Sequence, residues 1–102
     1  MFDVALADNG VLRFIGRLDA AQAAKAQAAL DAAADPGVID FALLEYISSA
    51  GLGVLLRTQK RLMASGRKLK LVNVNNHIHD IFRYSGFDQI FEIERAAGAP
   101  GP

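Results

Sequence analysis

Apolar positions fall in short blocks separated by Gly, Pro, Asn and Asp, and their period changes from block to block. Phe2 to Ala7 and Gly10 to Gly16 are two brief apolar segments. Asp8-Asn9-Gly10 between them is a strong hairpin-turn signal. Asp19 to Asp35 is alanine-rich, with Leu18 and Leu30 as its larger apolar groups. It reads as a slim helix capped by Asp19 and stopped by Asp35-Pro36-Gly37. Val38 to Leu44 is short and mostly apolar, as expected of a strand buried on both faces. Leu52, Leu55, Leu56, Leu62 and Met63 then recur at helical spacing, with Arg57, Lys60 and Arg61 mostly off that stripe. They predict a helix entered through Ser48-Ser49-Ala50-Gly51-Leu52-Gly53 and ended by Ser65-Gly66. Lys68 to Val74 is the next strand. Asn75 or Asn76 caps a third helix with an apolar face of Ile78, Ile81 and Phe82, and Gly86 is its left-handed C-cap. Ile90 to Ile93 is the last strand.

The order is β-β-α-β-α-β-α-β. Strands alternating with helices demand right-handed crossovers and a mostly parallel, mixed α/β sheet with an N-terminal antiparallel hairpin. One domain is expected over residues 1–95. Residues 96–102, rich in Ala, Gly and Pro, are expected to form a disordered tail.

The 102 residues suit one small domain, and 52% hydrophobic content supplies a core. No apolar run approaches the ~18 residues of a membrane span. Met1-Phe2-Asp3-Val4 lacks the basic region of a signal peptide. A cytoplasmic protein without membrane insertion is expected. Having no cysteine, the chain has no disulfide and no thiolate metal site. Acidic and basic residues balance at 11 each, so overall charge gives nucleic-acid binding no support. The halves differ: residues 1–50 hold seven acids and three bases, residues 51–102 four acids and eight bases. Arg57, Lys60, Arg61, Arg67, Lys68 and Lys70 cluster. They read either as a solvated helix face and strand entrance, or as a basic rim facing an acidic partner or a phosphate.

Candidate chemistry centres on Ser48-Ser49. A nucleophile elbow would place glycine two residues before and after the serine, but Ile47 holds the first position. His77 and His79 lie two apart, on nearly opposite sides of a helix, so they do not share a metal. Gly51-Leu52-Gly53 lacks the third glycine of a dinucleotide fingerprint, and no Gly-Lys-Ser/Thr follows a glycine-rich run. No cofactor and no catalytic residue is expected. A serine at a helix start can instead be a substrate. Phosphorylation adds about −1.5 to −2 charge, which the helix dipole tolerates. Gly51 and Gly53 each cost roughly 1 kcal/mol relative to alanine in a helix. Two readings stay open: the glycines leave the helix start bare for a partner's approach, or they serve internal packing while a serine merely caps.

Val38-Ile39-Asp40-Phe41 and Leu44-Glu45-Tyr46-Ile47-Ser48-Ser49-Ala50-Gly51-Leu52-Gly53-Val54-Leu55-Leu56 resemble the signature of STAS domains. The likeness is greatest to free-standing bacterial anti-sigma factor antagonists. Gly16-Arg17-Leu18-Asp19, Asn73-Val74-Asn75 and Tyr84-Ser85-Gly86-Phe87 resemble further motifs of that family, and the likeness covers about residues 2–95. It departs at Phe41-Ala42, often Leu-Ser in the family, and at Ala20 to Ala24, which lacks the usual early Ser or Thr. Ser48 replaces an aspartate of some members. The resemblance implies a partner switch. The unphosphorylated protein binds an anti-sigma factor that is a serine kinase of the histidine-kinase-like ATPase class. Phosphorylation at Ser49 releases it, and a PP2C-type phosphatase reverses the step. The implied partner surface comprises Asp19, Ser48, Ser49, Ala50, Gly51 and Gly53. The alternatives are an unphosphorylated STAS subunit of a membrane transporter and, more remotely, a small serine hydrolase.

Overall fold

The computed structural model describes residues 1–33 and 37–96. They form β1 (Phe2–Leu6), β2 (Leu12–Leu18), a 3₁₀ turn (Ala20–Gln22), α1 (Ala23–Ala32) and β3 (Val38–Ile47). There follow α2 (Ser49–Met63), β4 (Lys70–Val74), α3 (Asn76–Ser85), a second 3₁₀ turn (Phe87–Gln89) and β5 (Glu92–Arg95). The stop expected at Asp35-Pro36 and the tail beyond Ala96 lie outside the described residues.

The five strands lie in the order β1-β2-β3-β4-β5. β1 and β2 are antiparallel and the remaining pairs parallel, as the alternation of elements requires. Because strand order never reverses, successive right-handed crossovers place every helix on the same face of the sheet. The expectation that β3 is buried on both faces therefore fails. Ile39, Phe41, Leu44 and Ile47 face the helices and are buried, while Ala42, Leu43 and Glu45 are exposed. The inward residues are not spaced by two throughout. Where β2 advances from Arg13 to Ile15, β3 advances from Asp40 to Leu43, and a second bulge sets Tyr46 against Arg17. These extra residues bend the strand and carry it past Leu44 to Ile47. Opposite, β2 starts at Leu12, two residues after the expected Gly10, because the turn takes up Ala7 to Val11. Gly16 lies within β2 at φ +93°, with Met1 O 2.3 Å from where its Cβ would stand, so only glycine fits.

The core lies between sheet and helices. A row of phenylalanines spans it: Phe2 against Phe14 with ring centroids 5.3 Å apart, Phe14 against Phe41 at 5.7 Å, Phe41 against Phe82 at 6.2 Å and Phe82 against Phe91 at 6.0 Å. On α2 the buried arc departs from the predicted stripe. Leu52, Leu55 and Leu62 are buried with Val54, Thr58 and Gln59, whereas Leu56 is half-buried and Met63 is 56% exposed. The helix is flanked by α1 on one side and by the Phe87–Phe91 segment on the other, so the side chains that meet neighbours form a broader, shifted arc. Thr58 Oγ1 donates to Val54 O. Gln59 accepts from Leu69 N at 2.7 Å and donates to Ile90 O at 2.9 Å, which joins α2 to both following segments. Asn75, not Asn76, caps α3 by accepting from Ile78 N at 2.8 Å, and Gly86 closes the helix at φ +78°.

Candidate functional site

β2 and β3 are adjacent parallel strands, so their carboxyl ends meet at one edge of the sheet. Leu18 pairs with Ile47, and Ser48 N donates to Leu18 O at 2.9 Å. Chain leaving β2 supplies Asp19 and chain leaving β3 supplies Ser48-Ser49. Residues 30 positions apart in sequence are thus brought side by side where open α/β sheets place their sites. Arg17 stacks on the Tyr46 ring, 4.6 Å from its centroid, just below this edge.

The two serines divide the work. Ser48, with extended backbone, is the N-cap of α2; its Oγ accepts from Gly51 N at 3.2 Å. Ser49 is the first helical residue, is exposed, and its hydroxyl has no hydrogen-bond partner among the described residues. Asp19 caps the neighbouring 3₁₀ turn, accepting from Gln22 N at 3.2 Å rather than starting an α-helix directly. Ala50 is half-buried.

The glycines also differ. Gly51 is buried, and a Cβ there would stand 2.8 Å from both Leu18 Cγ and Ile47 Cγ1, so this glycine lets α2 approach the strand ends. At Gly53 the nearest neighbour of a Cβ would be Arg57 Nη1 at 3.4 Å, so the helix surface there is covered only by that side chain. Arg57 Nε donates to Gln27 Oε1 of α1 at 3.1 Å. The sequence placed Arg57 off the apolar stripe and within the basic cluster, and it gave no sign of Leu18 and Ile47 as neighbours of Gly51. A glycine four residues before an arginine was the one local hint, while Gln27 lies 30 positions away.

Neither His77 nor His79 is hydrogen-bonded to either serine. Among those residues no group of three or more His, Cys, Asp or Glu could hold a metal, and no helix is long and apolar enough to cross a membrane. Two surface clefts of about 250 and 330 Å³ lie elsewhere. One is lined by Val4, Leu6, Leu12, Ala29, Ala32 and Ala33, the other by residues around Gly10 and Gly37. Neither cleft is lined by Asp19 or by residues 48–53.

Comparison with known proteins agrees with this fold. A family model described as "Mlab, STAS domain" matches residues 2–93. A protein of Bordetella bronchiseptica, BtrV, described as an anti-sigma factor antagonist, is 36% identical over 88 residues, covering 82% of this chain and 76% of that protein. An anti-sigma factor antagonist of Thermotoga maritima has a similar structure, with a TM-score of 0.75 at 20% identity over 94% of this chain and 87% of that one. SpoIIAA of Bacillus in its phosphorylated form superposes with a TM-score of 0.66 at 20% identity, over 96% of this chain and 93% of that one. The unphosphorylated form of SpoIIAA shares the fold as well.

Proposed function

This chain belongs to the STAS domain family, and on that premise we propose that it is an anti-sigma factor antagonist working as a phosphorylation-controlled partner switch. Unphosphorylated, it binds an anti-sigma factor that is also a serine kinase of the histidine-kinase-like ATPase class. The kinase transfers the γ-phosphoryl group of ATP to Ser49. The Ser49 O–H bond breaks as its proton passes to a base of the kinase, an Oγ–P bond forms, and ADP leaves with the electrons of the broken P–O bond. The modified protein is released, and a PP2C-type phosphatase hydrolyses the ester. These events belong to the cytoplasm, and the chain itself is the substrate of the chemistry rather than its catalyst.

One observation carries this reading. Ser48 spends its hydroxyl on the cap, leaving the exposed, uncommitted hydroxyl of Ser49 on the first turn of α2 beside Asp19. Two relatives described as antagonists, and the existence of SpoIIAA in phosphorylated and unphosphorylated forms, support it. The physics of the position is suitable. A dianion at a helix start gains typically 0.3–1 kcal/mol from the dipole, so the fold is not disturbed. A partner seated on the same spot has to desolvate that charge, at several kcal/mol. A net penalty of about 3 kcal/mol lowers affinity roughly a hundredfold.

Incubation with the kinase and ATP, followed by mass spectrometry, should locate the phosphate on Ser49 and find none on Ser49→Ala. Ser49→Asp should melt near the parent and bind the kinase more weakly by calorimetry, with about half the free-energy effect of the phosphate because it carries about half the charge. Undiminished phosphorylation of Ser49→Ala would remove the assignment. Undiminished binding by Ser49→Asp would place Ser49 outside the interface and favour the transporter-subunit alternative.

A further inference from the structure

Arg57 runs back along α2 toward its N-terminus, the direction helical side chains take. Its Nη1 lies 3.4 Å from the point a Cβ on Gly53 would occupy. Its Nε is fixed by Gln27 Oε1 at 3.1 Å, and the amide of Gln27 is fixed in turn by Asp31 Oδ1 at 3.0 Å. The guanidinium is therefore held by one edge. Among the described residues its two Nη groups have neither a hydrogen-bond acceptor nor a carboxylate partner. Arg61, one turn on, is different: its Nη2 is committed to Leu30 O at 3.2 Å and lies 3.7 Å from Asp31. The free fork of Arg57 rests over Gly53, and Ser49 is the next residue N-terminal on that row, with Cβ positions one turn apart separated by about 5–6 Å.

We propose that Arg57 receives the phosphate of phosphorylated Ser49, with Gly53 as the side-chain-free notch in which the two groups meet. The proposal rests on Ser49 being the acceptor, and assigns that same site a receptor within this chain. A guanidinium offers paired N–H donors in a plane that match two phosphate oxygens, a charge-assisted arrangement stronger than neutral hydrogen bonds. Anchoring by Gln27 lowers the ordering entropy the pair would otherwise lose. Bound in this way the phosphate lies against the helix rather than standing free in water. The released state is then less readily dephosphorylated.

The test uses the full chain with phosphoserine installed at position 49 during translation, so it needs no kinase. In the NMR spectrum, the Arg57 Nε–H resonance should move and sharpen in the phosphoprotein relative to the unmodified protein. Alkaline phosphatase, a non-specific probe, should release phosphate several-fold faster from Arg57→Gln than from the parent. Arg57→Lys, which keeps the charge but loses the fork, should fall between them. Because Arg57 is exposed, folding of the variants is not in question, and a melt of each confirms it. An Arg57 resonance unmoved by the phosphate, or equal release from Arg57→Gln and parent, overturns the proposal. Either result leaves the identity of the acceptor to the separate kinase experiment.

Discussion

At Gly51 a methyl group would meet Leu18 Cγ and Ile47 Cγ1 at 2.8 Å, while at Gly53 its nearest neighbour would be Arg57 Nη1 at 3.4 Å. The first distance is too short for any carbon pair, and neither Leu18 Cγ nor Ile47 Cγ1 is the free end of a flexible chain. The second is ordinary contact with the Nη end of a side chain that only its Nε holds in place. Overpacking costs about 1–3 kcal/mol and the better helix propensity of alanine returns up to ~1 kcal/mol. Gly51→Ala should therefore lose about 1–2 kcal/mol in a urea melt, and Gly53→Ala should hold its stability or gain up to ~1 kcal/mol. The two open readings of the glycines are thus divided between the positions: packing explains Gly51, whereas Gly53 meets no part of the core and lies under the Arg57 side chain alone. Equal effects at the two sites would contradict that division.

Among the elements, α2 is the one that joins the rest. Its start is tied to the ends of β2 and β3, and its middle holds the following segments through Gln59, which is 1% exposed. The amide of Gln59 satisfies a donor at Leu69 and an acceptor at Ile90 simultaneously. A buried group left without its partner costs about 1–3 kcal/mol, so Gln59→Ala should destabilise by at least ~2 kcal/mol. Faster hydrogen exchange at the Leu69 amide should accompany it. An unchanged melt would mean that water replaces both bonds. The predicted stripe of α2 omitted Gln59 because glutamine reads as a surface residue wherever its partners are unknown.

For the molecule as a whole, the row Phe2, Phe14, Phe41, Phe82 and Phe91 runs through the sheet-helix interface from β1 to the approach to β5. Phe41 is at its centre, stacked on Phe14 and on Phe82, and is fully buried. Removing such a ring costs about 3–5 kcal/mol, a large share of the 5–15 kcal/mol that stabilises a typical domain. Phe41→Ala should lose that much in denaturant. Circular dichroism in the far and near ultraviolet should still report one coincident transition, since the row links all layers of the fold. Separate transitions would show that the β1–β2 hairpin and the β4–β5 region unfold independently.

What the sequence determined by itself is local. The hairpin signal at Asp8-Asn9-Gly10, a cap at Asn75 or Asn76, the αL stop at Gly86 and the alternation of strands with helices each depend on neighbours a few residues away, and each is found in the structure, which gives the cap to Asn75. The serine pair was legible too, because helix starts have a composition of their own. Tertiary structure decided everything that depends on side chains meeting across the sheet. It left one face of β3 open, since unreversed strand order puts all helices on one side. It used Ser48 rather than Ser49 as the cap, because the Leu18–Ile47 pairing sets the point where α2 begins. It buried Gly51 against two strand ends and set Arg57 against Gln27. Hydrophobic period reports which positions are apolar, but not which neighbour fills the space beside them, and that neighbour is supplied by chain about 30 residues away in sequence.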